Sequence, residues 1–150
     1  MREFETLAAL AAEQGREIGV SEWVTIEQER IDLFADATED HQWIHIDPAR
    51  TRSELDMSTI AHGYLTLSLI PKFISNIFTI RSLKRALNYG SNKVRYTNMV
   101  PVGSRLRGRL HLHRAVLEEN SLRTISRITV EIDGAEKPAL VAETITLFEE

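Results

Sequence analysis

Between Gly63 and Phe78 the apolar residues Tyr64, Leu65, Leu67, Leu69, Ile70, Phe73, Ile74, Ile77 and Phe78 fall on nearly every face of a helix. A helix of that kind has no polar stripe to turn toward water, so the rest of the chain must enclose it. Pro71 lies inside the segment and predicts a kink or an interruption, because its ring removes an N–H and collides with the preceding turn. Downstream the hydrophobic period changes to two. Leu106, Gly108, Leu110 and Leu112 face one way, and Arg105, Arg107, Arg109, His111 and His113 the other, which is the pattern of a half-buried strand. Leu122 to Asp133 and Ala139 to Phe148 read as two further strands, joined through the turn signal Asp133-Gly134-Ala135-Glu136-Lys137-Pro138. A buried helix packed on a long antiparallel sheet is an α+β arrangement.

The N-terminal half is mostly helical in pattern. Phe4, Leu7, Ala8 and Ala11 predict a short amphipathic helix, and Glu17 to Val24 a first strand. Thr25-Ile26-Glu27-Gln28 reads as a capping box with Thr25 as N-cap. Ile31, Phe34, Ala35 and Thr38 then carry a helix to about Thr38. The polar stretch from Glu39 ends at Asp47-Pro48, and helices usually stop before the residue preceding a proline. Asp40 and His45 are therefore expected on an ordered loop. On a continuous helix, residues five apart would sit roughly 140° apart around the axis, so only a bend lets the two converge. Together with the backbone N–H at Ala61-His62-Gly63, they offer a carboxylate, an imidazole and a hydrogen-bond donor, the groups needed to move water onto an activated double bond.

With 150 residues, 43% of them hydrophobic, the chain fits a single domain over residues 1–150. A formal charge of −4 argues against a general nucleic-acid or anionic-membrane surface. No apolar run approaches the ~20 residues of a spanning helix, and Met1-Arg2-Glu3-Phe4-Glu5 lacks a signal-peptide pattern, so a cytoplasmic location is expected. The absence of cysteine excludes disulfides, thiolate nucleophiles and Cys-ligated zinc.

Two separated stretches carry a family resemblance. Phe34 to Pro48, followed by Thr59-Ile60-Ala61-His62-Gly63-Tyr64-Leu65-Thr66, resembles the hydratase motif of MaoC-like dehydratases, the (R)-specific enoyl-CoA hydratases. Gln42-Trp43-Ile44-His45, with Asn88 to Tyr96 and Pro101-Val102-Gly103-Ser104-Arg105, looks more like the NodN-like branch. The resemblance implies a hot-dog fold, a long antiparallel sheet wrapped around a central helix. It also implies a homodimer, and reversible hydration of a trans-2-enoyl-CoA to an (R)-3-hydroxyacyl-CoA. By the same resemblance Asp40 and His45 match the catalytic pair, Gly63 the glycine whose N–H faces the thioester carbonyl, and Ser68 a serine that helps hold the site. Coenzyme A enters as part of the acyl-CoA substrate, and no separate cofactor is implied. Which of Asp40 and His45 acts as base stays open. Three departures stand out. Glu39 replaces the family's frequent glycine, so the turn cannot rely on glycine's freedom at positive φ. Gln42-Trp43 replaces Asn-Pro, and Leu55-Asp56-Met57-Ser58 intervenes where substrate access would differ.

Each of these residues also has an ordinary reading. A loop Asp is commonly a cap, a lone His structural, and Gly63 a small residue required by helix packing. His41 and His45, four apart and near His62, invite a metal site, but the segment reads as loop and no metal is expected. The Arg105, Arg107 and Arg109 row could meet coenzyme A phosphates, although such a row is more often the solvent face of a strand. Trp43 reads as packing that fixes the loop, and without a G-x-S-x-G elbow Ser68 is not a nucleophile. A hot-dog thioesterase and a non-catalytic acyl-CoA-binding protein are the rival functions, since a fold alone excludes neither.

Overall fold

In the computed structural model, which describes residues 1–150, the all-round apolar segment forms two helices in line, α5 (Gly63–Ser68) and α6 (Ile70–Ile77). Pro71 interrupts rather than kinks, because it falls in the first turn of α6, where the missing N–H has no intrahelical partner to lose. Leu65, Leu69, Phe73 and Ile77 are buried at every fourth position. Tyr64, Ser68, Pro71 and Lys72 are exposed, so the segment is enclosed on one side and open on the other.

The earlier elements are strand β1 (Arg2–Phe4), helix α1 (Leu7–Ala11), strands β2 (Glu17–Val20) and β3 (Val24–Thr25), and helices α2 (Gln28–Thr38), α3 (Trp43–Ile46) and α4 (Pro48–Leu55). After α6 come β4 (Phe78–Ile80), β5 (Arg85–Tyr96), β6 (Arg105–Leu117), β7 (Ser121–Ile132) and β8 (Leu140–Glu149). The main sheet runs in the order β2-β6-β7-β8-β5, with β3 also on β6, and its pairs are antiparallel. β1 and β4 form a small parallel pair beside it. Phe4 therefore belongs to a strand, not to the N-terminal helix, which begins at Leu7. The predicted strand from Glu17 to Val24 is divided at Ser21, whose backbone N–H and hydroxyl both engage the backbone of Gly108.

The period-two reading of β6 holds: Leu106, Gly108, Leu110 and Leu112 are buried while the alternating arginines and histidines face outward. Gly108 lets the central helix come close, since a Cβ there would lie 2.7 Å from the Cβ of Phe73. Outside, Arg105 pairs with Asp133, Arg107 with Glu131, and Arg109 with Glu131 and Glu17. That row is an ion-paired solvent face, its charges already matched within the sheet. The buried apolar residues of the central helices and of the sheet join into one cluster, giving the hot-dog arrangement that the resemblance implies.

Candidate active site

The helix leading to Asp40 starts differently from the expected capping box. Its N-cap is Glu27, with no side-chain cap, and Thr25 belongs to β3. The Gln28 amide is used elsewhere: Nε2 donates to Asp32 Oδ1 at 2.8 Å and to the His45 carbonyl at 2.7 Å, and Oε1 accepts from the Thr59 hydroxyl. One half-buried amide thus ties α2 to both segments that approach the site. At the other end of α2, Glu39 adopts φ 61° and ψ 19°. The left-handed turn expected to need glycine is made by a glutamate, at about 1–2 kcal/mol of steric strain. It turns the chain so that Asp40 leaves the helix axis.

His45 sits on the single-turn helix α3 rather than on an open loop. Asp47 ends α3 and caps α4, its carboxylate accepting from Arg50 N–H at 2.9 Å, and Pro48 occupies the first turn of α4. The Arg50 guanidinium lies 4.4 Å from the Trp43 ring, which holds Trp43 as packing for this corner. His45 is buried, and its Nδ1 lies 2.7 Å from the Ile60 carbonyl oxygen. A carbonyl can only accept, so Nδ1 carries the hydrogen and Nε2 keeps a lone pair for chemistry. Burial pushes the imidazole below its ordinary value; the Ile60 hydrogen bond opposes this, the charge of His62 adds to it and Asp40 opposes it.

A carboxylate oxygen of Asp40 and ring nitrogens of His45 and His62 lie within 4.8 Å of one another. The ring hydrogen bonds go to backbone carbonyls and not to the carboxylate, and one water with legs of about 2.8 Å can bridge atoms within that reach. Gly63 opens α5 beside them, and no backbone acceptor takes its N–H. Its Cα faces the Tyr96 ring, where a Cβ would come within 3.0–3.2 Å of three ring atoms. Both readings of Gly63 therefore apply to one residue: close packing requires it to be small, and its donor is free. A groove of about 410 Å³ runs past His45, Gly63, Thr66, Tyr96, Asn98 and Met99.

Ser68 stands apart from this group. It is exposed on α5, its hydroxyl donates to the Tyr64 carbonyl at 2.7 Å, and it lines a second groove of about 350 Å³ between the central helices and β5 and β8. His41 also points elsewhere, with Nε2 2.9 Å from Asp36 Oδ1. In its place the structure brings in His62, which is buried against His45 with ring centroids 3.8 Å apart and planes 26° from parallel. Stacked rings keep their lone pairs in separate, nearly parallel planes, a poor match to a cation that needs both nitrogens aimed at one point about 2.0–2.1 Å away. The signals available for His62 were its place before a free helix N-terminus and its apolar neighbours.

The model of the MaoC like domain matches residues 9–132. This chain belongs to the MaoC-like family. It is 48% identical over 149 residues to 3-hydroxyacyl-thioester dehydratase Z of Mycobacterium tuberculosis, covering 99% of each chain. It is 45% identical over 147 residues to Nodulation protein N of Rhizobium leguminosarum, covering 96% of this chain and 91% of that one, which supports the NodN-like branch. Among solved structures, R-hydratase PhaJ1 of Pseudomonas aeruginosa superposes with a TM-score of 0.75 at 24% identity, over 97% of this chain and 86% of that one, a shared hot-dog fold.

Proposed function

We propose that this MaoC-like protein is a hydro-lyase that adds water reversibly to a trans-2-enoyl-CoA to give an (R)-3-hydroxyacyl-CoA. The observation that carries the reading is the convergence of the Asp40 carboxylate and the His45 ring within 4.8 Å, beside the unpartnered Gly63 N–H. The mycobacterial relative named as a 3-hydroxyacyl-thioester dehydratase supports the reaction class, and the R hand is the one the family resemblance implies.

With Nδ1–H held by Ile60, His45 Nε2 is the proton acceptor. It takes one proton from water as the oxygen bonds to the β-carbon, while the Asp40 carboxylate accepts a hydrogen bond from the water's other O–H, which stays on the product hydroxyl, and so fixes its direction. The π electrons of the double bond shift toward the thioester oxygen, where the Gly63 N–H stabilises the growing charge. The proton on His45 then passes to the α-carbon on the same face, so H and OH add syn and both residues return to their starting states. The groove past Tyr96 and Met99 holds the thioester. Coenzyme A is part of the substrate, and the cycle calls for no metal or redox group.

Two further parts of the proposal concern setting. β5 is the sheet's edge, twelve residues long and exposed apart from half-buried Val94. Long bare edges invite pairing, and the same strand of a second copy would close a two-fold homodimer, which sedimentation would detect. No helix is long and apolar enough to cross a membrane, which accords with a cytoplasmic setting. The functional test is Asp40→Asn and His45→Gln: each should lower kcat by about 10²–10⁴-fold with the fold intact. The double variant should lose much less than the product of the two, because both groups serve one water. Near-normal activity in either single variant contradicts the assignment.

A further inference from the structure

His62 is buried and has no place in the proton transfers above, yet it contacts the backbone of Asp40 and the ring of His45. Its Nε2 lies 2.9 Å from the backbone carbonyl of Asp40, so Nε2 carries the hydrogen and donates. Its ring stacks on His45, and Phe34 of α2 closes around it with a centroid distance of 5.0 Å. The remaining nitrogen, Nδ1, is buried without any hydrogen-bond partner. Buried orphan acceptors are rare in native structures and call for a reason. An apolar side chain of similar size would fill the space without that penalty, but it would neither donate to the Asp40 carbonyl nor share charge with His45.

We propose that His62 is a positioning residue of the hydration site, holding the Asp40 loop and the His45 ring in one geometry. The inference rests on the hydratase reading for its kinetic consequence only. Glu39 is followed by an exposed Asp40 whose backbone is anchored through the hydrogen bond to His62, the same ring that stacks on His45. A misplacement of about 1 Å at such a site can lower the rate some 10²-fold. An electrostatic effect follows from the contact, since two stacked imidazoles disfavour carrying charge together. The groups acting on His45 are the Ile60 carbonyl, His62 and Asp40, while Phe34 does not titrate.

The test compares His62→Phe, which keeps a ring but loses donor and charge, with His62→Gln, which keeps an amide N–H able to reach the Asp40 carbonyl. Both are assayed for hydration and for the His45 ring titration by NMR of histidine-labelled protein. His62→Phe should lower kcat about 10–10²-fold with KM nearly unchanged, the sign of a lost transition-state arrangement. His62→Gln should recover part of that loss. In both variants the His45 titration should move to higher pH, because the neighbouring histidine that opposes its protonation is gone. An unshifted titration with unchanged kcat per folded molecule overturns the proposal, as does a loss of stability alone. If His62→Phe does not fold, His62→Gln decides by the same two readouts. If the native protein hydrates no enoyl-CoA, the hydratase reading fails, while the His45 titration still decides the role of His62.

Discussion

Gly63 poses a question that a single substitution cannot answer, because bulk and donor coincide there. Alanine would place a Cβ 3.0 Å from Tyr96 Cδ1 and 3.1 Å from Cε1, inside the ~3.5 Å of a comfortable carbon contact, so Gly63→Ala alone would push the Tyr96 ring aside. The donor is isolated by first removing that ring. In a Tyr96→Ala background, Gly63→Ala adds bulk with the N–H intact, and Gly63→Pro deletes the N–H. The backbone accepts proline: Gly63 is the first residue of α5, and His62 before it has φ −59° and ψ 139°, the extended region a residue preceding proline favours. Proline Cδ then takes the place of the amide hydrogen, so the thioester oxygen loses its donor and its seat together. Loss of one oxyanion donor lowers kcat about 10²–10³-fold, or 2.7–4 kcal/mol, and the proline variant should fall that far below the alanine variant. The assay is the decay of the enoyl-thioester absorbance, with thermal melts to show equal folding. Equal rates for the two variants would refute a catalytic role for the Gly63 N–H and leave packing as its whole explanation.

Burial holds His45 below its ordinary value of 6.5, so it stays free to accept a proton down to that lowered value, and the acid limb of kcat/KM should lie below pH 6.5; a limb above it would contradict His45 as the base. Glu39→Gly should relieve the left-handed strain of about 1–2 kcal/mol at an entropic cost of about 0.4–1 kcal/mol, leaving stability unchanged or raised by up to ~1.6 kcal/mol in chemical denaturation. A clear destabilisation would show that the Glu39 side chain has a stabilising role that outweighs the strain.

The parts of the fold that bury one face were readable from the chain. β6, β7 and β8 alternate because one side of each faces the buried core; the limits of β7 and β8 were read to within a residue, while β6 runs on past the predicted His113 to Leu117. β5 was quoted only as a motif: an edge strand exposed on both faces carries no apolar alternation to detect. The Thr25–Gln28 capping pattern misled because Gln28 has better partners in His45 and Thr59, contacts formed only after α2, α3 and the Thr59 segment assemble. At the site, Asp40, His45 and Gly63 were legible as a motif and the structure brings them together. His62 was visible only as a doubtful metal ligand, since its stack on His45 joins segments seventeen residues apart, beyond any local pattern.

The most direct test of hydration at the Asp40–His45 gap is the hand of the product. Purified protein given a trans-2-enoyl-CoA should form a 3-hydroxyacyl-CoA accepted by an (R)-specific dehydrogenase and refused by an (S)-specific one, because in the proposed site the Gly63 N–H pins the thioester and only one face of the double bond meets the water. Predominantly S product, release of free thiol, or no turnover with short, medium or long chains would contradict it.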